Sequence, residues 1–398
     1  MRWARLAAVA VTVLAVLVAP APAQAVCDPA PPTSQTVKGT PIEDRVYAPE
    51  RLAPLATGRG IRIAVIDSGV DPDHPQLRGQ VLDGADFLHG GPDGKQDCVG
   101  HGTAVASIIA AAPAGGTGFR GLAPGARIVP IRVSEQTEDA EGNLIGESGS
   151  QQKFAQAIDF AVEQAHVQVI NLSLVLPGDS QVVDAAVRRA LDAGVVVVAA
   201  AGNHGKNGNE DKTWPAAVPG VIAVAAVQQD GTRADFSQRG DFLTIAAYGT
   251  NVTVAAAGSG YRTDEAGTSF SAPFVSATAA LVLERFPGIT PAGVLRRLQA
   301  TADPAPGGPK EYGTGLLNPY RALTETLGPA TRAPAAPQVV HPIDPAAVAL
   351  ADRRAQSQRM ALWFAAGGAG LVVLLAAAAL IVRRGRSRGW RPAGPGAV

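Results

Sequence analysis

Five short apolar runs, each breaking off into a polar loop, constrain the fold more than any other feature of this chain. They are IRIAVID (61–67), ARIVPIRV (126–133), VQVINLSL (167–174), GVVVVAAAGN (194–203) and VIAVAAV (221–227). A strand with one wet face alternates apolar and polar residues, whereas these are apolar almost throughout, as strands covered on both faces are. Between them lie segments of helical character: HGTAVASIIAAA, QQKFAQAIDFAVEQA, SQVVDAAVRRALDAG and SAPFVSATAALVLERF. In the second of these, Phe154, Ala157, Ile158, Ala161, Val162 and Ala165 recur at helical spacing. Strands alternating with helices predict an α/β fold with a mainly parallel central sheet covered on both faces, a three-layer arrangement. Functional residues of such sheets gather beyond the carboxyl ends of the strands.

Four polar groups stand at such ends or at helix starts. Asp67 closes IRIAVID, His101 opens HGTAVASIIA, Asn203 follows the Val-rich run as Ala-Ala-Gly-Asn, and Ser269 opens a helix at GTSFSAP. Each alone is ordinary: a turn aspartate, a helix-capping histidine, an Asn-His-Gly turn, an N-cap serine. Together they form a chemical set. A serine hydroxyl is a poor nucleophile until a base takes its proton, histidine is that base, and a carboxylate fixes its tautomer and stabilises the imidazolium. The Asn203 side-chain amide and the Ser269 backbone N–H can donate to a developing oxyanion, one such donor being worth on the order of 3 kcal/mol.

Composition sets the compartment. Of the 398 residues 46% are apolar and 17% charged, and Lys+Arg equals Asp+Glu at 34 each, which argues against a nucleic-acid partner. Part of the apolar excess lies at the ends. Residues 1–25 carry a basic tip (Arg2, Arg5), an apolar run from Leu6 to Ala19 and the small-x-small sequence Ala23-Gln24-Ala25, the pattern of a secretory signal peptide. Residues 361–382, ALWFAAGGAGLVVLLAAAALIV, are uncharged and apolar over about 20 residues, enough to cross a bilayer. Five arginines follow (Arg383, Arg384, Arg386, Arg388, Arg391), which places the tail, 383–398, in the cytoplasm and the body outside. The expected chain is a single-pass cell-membrane protein with its folded part, 61–327, extracytoplasmic. An N-terminal extension of residues 26–60, Pro-rich and irregular over 26–58, precedes that part, and a Pro/Ala-rich linker, 328–360, follows it.

Cys27 and Cys98 are the two cysteines. Outside the cytoplasm the default is a disulfide between them. A lipidated Cys27 and a pair of free thiols are the alternatives, the first having a poor signal in Gln24-Ala25-Val26 and leaving Cys98 without a mate. No His/Cys cluster has zinc spacing and no calcium loop is written in the sequence, so neither metal nor cofactor is expected.

On DSGVDPDHPQL, HGTAVASIIA, AAGN and GTSFSAPFVSATAAL the chain resembles the subtilisin-like serine proteases over roughly residues 40–325, with YGTGLLNPYRAL (312–323) similar to their closing segment. The resemblance implies a subtilisin-like fold, a catalytic triad of Asp67, His101 and Ser269, and Asn203 as the oxyanion-hole amide. It implies a substrate strand clamped between two backbone segments, which here are Ser148-Gly149-Ser150 and Ser173-Leu174-Val175, with Gly202 beside them. The family commonly has glycine where Val175 stands, so a side chain there is expected to narrow the pocket for the residue before the scissile bond or to turn into the core. The histidine of DPDHPQL, His74, has no catalytic role in the family.

Signal peptide, protease domain, Pro-rich stalk, membrane helix and basic tail together resemble the mycosins, the membrane-anchored proteases of type VII secretion systems. DCVGHGT fits them too. That resemblance implies that Cys27 pairs with Cys98, pinning the extension around the domain as a permanent wrap, a crosslink worth roughly 2–4 kcal/mol. At this length the extension is too short for a subtilisin folding prodomain. Mycosins often carry a further disulfide in a longer inserted loop, for which this chain has no cysteines, its EQTEDAEGNLIGESGS loop being short. Two functions are implied: an endopeptidase processing exported proteins beside a secretion apparatus, and a structural subunit that stabilises the secretion membrane complex.

Overall fold

The computed structural model describes residues 33–138, 144–176 and 178–328. The expected signal peptide, Cys27, most of the linker, the membrane helix and the basic tail lie outside these residues. Among the described residues no helix is long and apolar enough to cross a membrane.

The elements follow in chain order: α1 (Ile42–Tyr47), α2 (Pro49–Leu52), β1 (Arg62–Asp67), β2 (Ala85–Asp86), α3 (His101–Ala110), β3 (Arg127–Arg132), β4 (Thr137–Glu138), β5 (Leu144–Ile145), α4 (Gln151–Glu163), β6 (Val169–Leu172), α5 (Gln181–Asp192), β7 (Val196–Ala200), β8 (Ile222–Val227), β9 (Ile245–Tyr248), β10 (Val252–Ala255), β11 (Tyr261–Glu265), α6 (Thr268–Arg285), α7 (Pro291–Ala300), α8 (Pro309–Tyr312) and α9 (Pro319–Thr324). Seven strands form one sheet in the order β2-β3-β1-β6-β7-β8-β9. Every pair in it is parallel, with Val65 opposite Pro130 on one side and Asn171 on the other.

Alternation within the apolar strands builds the three expected layers. Ile63 and Val65 of β1 point into a core shared with α3 and α6, while Ala64 and Ile66 point into a second core shared with α4 and α5. The strands are therefore apolar throughout because both faces are covered. The order β3-β1-β6-β7 sets the site. These neighbours all run the same way, so the residues after Arg132, Asp67, Leu172 and Ala200 emerge side by side along one rim.

The stretch 26–58, read as irregular, is corrected over its described part: it contains α1 and α2. Its path from Thr33 to Gly60 runs over the domain with specific partners. Thr33 and Gln35 exchange backbone bonds with Ser259 and Tyr261 beside β11. Glu43 accepts the Thr253 N–H at 2.8 Å, and Asp44 accepts that of Arg120 at 3.1 Å. Tyr47 is buried against Tyr248 and Phe274. The Glu284 carboxylate on α6 then receives three consecutive N–H groups, from Thr57, Gly58 and Arg59, at 2.7, 2.5 and 3.0 Å. Short, charged and half Pro-flanked, this segment has no helical apolar stripe to betray it. It is helical because tertiary partners hold it.

Candidate active site

Asp67 is the last residue of β1 and 3% exposed. Its Oδ1 accepts from the Ser68 N–H at 2.8 Å and faces His101 Nδ1 at 2.7 Å. His101 is the first residue of α3, its side chain 30% exposed. The β1 exit and the α3 start meet closely because two glycines stand where they touch. A Cβ at Gly102 would strike the Gly69 carbonyl, and Gly69 itself has φ of +103°, a left-handed conformation that favours glycine. Burial pushes the imidazole pKa down, but the charge and hydrogen bond of Asp67, helped by Asp97, more than offset this against the opposing Arg262. The net displacement is upward from 6.5. The Phe270 ring stands 5.5 Å away, centroid to centroid.

Ser269 is the second residue of α6, so its backbone N–H has no acceptor within the helix. Its hydroxyl donates to the Ser173 carbonyl at 3.0 Å, and the Ser173 hydroxyl donates back to the Ser269 carbonyl at 2.7 Å. The second bond has a cause in sequence. Pro273, four residues on, lacks the N–H that would have bonded the Ser269 carbonyl within the helix. Among the described residues no hydrogen bond joins Ser269 Oγ to His101, so the hydroxyl rests on the neighbouring rim. Below it, buried Asn171 bridges Ser173 and Ser276, with bonds of 2.9 and 2.8 Å, tying β6 to α6.

Asn203 emerges beyond β7. Its Oδ1 accepts from both the Thr268 N–H, at 2.9 Å, and the Thr268 hydroxyl, at 3.0 Å. With the oxygen held, the amide NH₂ is turned toward Gly267 and the start of α6. Thr268 Oγ1 also accepts the Gly202 N–H at 3.0 Å, so one hydroxyl locks both residues of the Gly-Asn pair.

The expected substrate-clamping residues occupy the same rim in unequal ways. Ser148 bridges Ser134, and the Gly149 N–H bonds the Val133 carbonyl at 2.8 Å, just beyond β3. Ser150 is the N-cap of α4, accepting from Lys153, which gives its side chain a structural duty. Ser173 is engaged with Ser269 as above, and Leu174 packs on the α4/α5 core. Val175 is half-buried and does not enter either core. Its Cγ2 lies 3.4 Å from where a Cβ on Gly202 would be, beside Thr213. His74 is buried, with Nε2 3.2 Å from the Gly260 carbonyl and no place at this rim. Cys98 is half-buried, three residues before His101.

Sequence reasoning missed Thr268, Asn171, Ser276, Ser68 and Asp97. Thr268, Ser68 and Asp97 had a local signal, lying beside Ser269, beside Asp67 and four residues before His101; Asn171 and Ser276 are joined to the site only by the fold. A paired carboxylate and imidazole, a hydroxyl and an oriented amide on one rim of a parallel sheet make a serine-hydrolase type of site.

Comparison with known proteins gives the class its family. The subtilase family model matches residues 58–318, and the chain belongs to that family. It is a subtilisin-like serine peptidase. The thermostable alkaline protease of Halalkalibacterium halodurans is 38% identical over 265 residues, 67% of this chain and 68% of that one. Subtilisin E of Bacillus subtilis is 36% identical over 275 residues, 69% and 68% of the two chains. Among solved structures, MycP1 from Mycobacterium smegmatis matches with a TM-score of 0.65 at 29% identity, covering 76% of this chain and 90% of that one. The MycP3 protease from the type VII (ESX-3) secretion system matches with a TM-score of 0.62 at 30% identity, covering 74% and 95%.

Proposed function

We propose that the protein is a membrane-anchored, extracytoplasmic serine endopeptidase that acts on exported proteins beside a type VII secretion complex. The observation that carries the chemistry is the 2.7 Å Asp67–His101 pair standing on the same rim as Ser269 and the oriented Asn203 amide. In this reading Ser269 leaves the Ser173 carbonyl and attacks the peptide carbonyl while His101 takes its proton. Asp67 holds the imidazole in the tautomer that presents Nε2 to the serine and stabilises the imidazolium. The oxyanion receives the Asn203 NH₂ and the Ser269 N–H. His101 then passes its proton to the departing amine, and water repeats the sequence on the acyl-enzyme. Ser148 to Ser150, Ser173 to Val175 and Gly202 line the path of the substrate strand, with Val175 making the pocket at Gly202 small.

The secretion-system half of the proposal is supported by the mycosin structural neighbours and by the order of signal peptide, domain, Pro-rich linker and apolar span along the sequence. The Cys27–Cys98 disulfide and a permanent wrap belong to the same reading, the wrap supported by the bonds of residues 33–59 to β11, β10 and Glu284. A structural role in the complex is compatible with it, and one related MycP1 is described as an essential component of its type VII (ESX-1) system.

Treating the detergent-solubilised full chain with a fluorophosphonate, beside Ser269→Ala and His101→Ala, tests the chemistry. Labelling of the parent alone is expected. A folded parent that stays unlabelled would leave the structural-subunit reading in its place.

A further inference from the structure

Between β1 and α3 sits a buried carboxylate that the proposed reaction does not use. Asp97 is 4% exposed and accepts four hydrogen bonds. Oδ1 receives the Ser68 hydroxyl and the Gly100 N–H, both at 2.8 Å. Oδ2 receives the Thr103 N–H at 2.8 Å and the Thr103 hydroxyl at 2.5 Å. Each of the two hydroxyls also accepts from a backbone N–H. Ser68 Oγ accepts the Gly102 N–H at 2.9 Å and Thr103 Oγ1 accepts the Asp71 N–H at 2.9 Å. Each hydroxyl thus accepts on one lone pair and donates its single proton to Asp97. All four partners donate to Asp97, the pattern an ionised carboxylate makes, and these bonds work against burial, which displaces its pKa upward from the ordinary 3.8.

The partners share a location. Ser68 follows Asp67; Gly100 and Gly102 flank His101; Thr103 lies in the first turn of α3. One carboxylate thereby joins the segment that carries the acid to the segment that carries the base, and it satisfies N–H groups at the start of the helix that His101 opens. The other charged groups facing His101 are Asp67, at 2.7 Å, and Arg262 of β11, whose guanidinium reaches the Gly100 carbonyl at 3.4 Å and pairs with Glu265 at 2.8 Å.

We propose that Asp97 is a positioning residue for the acid–base pair: it holds the His101 backbone where Nδ1 meets Asp67, and it adds a second negative charge that favours the imidazolium formed during attack. The proposal rests on the reading of His101 as base. Asp97→Asn keeps the shape but loses the charge and leaves an NH₂ facing two donors. Ser68→Ala cuts one of the four bonds, leaves the Gly102 N–H without its acceptor and keeps the charge.

The experiment measures the rate of fluorophosphonate reaction of the full chain against pH, normalised to folded protein by circular dichroism and thermal melting. For Asp97→Asn the plateau rate constant is expected to fall at least roughly tenfold, well inside what a misplaced catalytic group can cost. The acid-side midpoint should move to lower pH, since a charge that stabilises the imidazolium is gone. Ser68→Ala should lower the plateau less and leave the midpoint in place. A folded Asp97→Asn with the parent's plateau and midpoint, only its melting temperature lowered, would overturn the proposal and leave Asp97 a packing residue. Should Asp97→Asn not fold, an unchanged plateau in Ser68→Ala overturns it and a lowered one sustains it. A parent that does not react at all would instead sink the peptidase reading on which this rests.

Discussion

The orientation of the Asn203 amide makes a prediction that separates a donor from the group that aims it. In the proposed mechanism, replacing Asn203 by Ala removes one oxyanion donor, about 3 kcal/mol in the barrier and a rate loss on the order of a hundredfold, a magnitude established in a subtilisin. Thr268→Val acts one step further back. It keeps the Thr268 N–H bond to Asn203 Oδ1, at 2.9 Å, and deletes the hydroxyl bond, at 3.0 Å. One neutral hydrogen bond is worth about 1 kcal/mol, which translates to roughly fivefold in rate. The same change strips the buried Gly202 N–H of its acceptor, so stability should fall by about 1–3 kcal/mol as well. The assay is turnover of a chromogenic peptide per titrated active site, in the two single variants and the double. If Thr268 works by aiming Asn203, adding Thr268→Val to Asn203→Ala costs nothing more in turnover, although the melting temperature still drops. Rate losses that simply add would refute the reasoning and make Thr268 an independent contributor.

Three further outcomes follow from the charges. His101 must be neutral to accept a proton and its pKa is displaced upward, so activity should rise with pH through a midpoint above 6.5; Arg262→Ala, which removes an opposing positive charge, should move that midpoint higher still in a pH–rate profile. Glu284→Ala leaves the N–H groups of Thr57, Gly58 and Arg59 without their shared carboxylate and should cost about 2–3 kcal/mol, read as a lowered melting temperature and new proteolytic cleavage near residue 58. Burial, reinforced by the charge of neighbouring Glu43, pushes Asp44 up to about 8, so the stability this one group contributes is full below the ordinary 3.8 and is lost progressively as pH rises from there through about 8. Asp44→Asn should flatten that loss in melting curves taken between pH 4 and about 8, and a parent whose melting temperature holds steady through that window would contradict the assignment.

The parts of the fold that could be read in advance were those whose reason for existing is written locally. VVVVAA is a strand because no half-exposed strand or surface helix carries so unbroken an apolar run, and the three-layer arrangement follows from several such runs separated by helices. The elements that escaped exist for reasons outside themselves. Strand β11, YRTDE, is polar and half-exposed along its length and owes its form to pairing with β10 and to Thr33 and Gln35 alongside it. Helix α1 hides two acidic side chains, Glu43 at 2% and Asp44 at 4% exposed, that any pattern rule assigns to solvent. They are tolerated inside because the Thr253 and Arg120 N–H groups, 210 and 76 residues away in sequence, arrive to meet them.

The site divides along the same line, and this bears on what can be inferred from a motif. Asp67, His101, Asn203 and Ser269 are legible because each must stand at the end of an element to reach a substrate, and element ends are marked in sequence by glycine, polarity and the stop of an apolar run. What makes them a site is a set of bonds between ends: Asp97 between the exits of β1 and the start of α3, Thr268 between β7 and α6, Ser173 supplying the proton that Pro273 withholds from the Ser269 carbonyl. None of these partners needs an unusual residue type, so none stands out in a linear reading. Each of them is nonetheless 4% exposed or less. A buried side chain with its hydrogen-bonding capacity spent on two functional segments has little freedom to be replaced, because any substitute leaves a donor or acceptor unmet where water cannot reach it. In the proposed mechanism the demand for chemistry is therefore carried by four visible residues, and the demand for their geometry by a buried polar layer just beneath them that only the folded chain reveals.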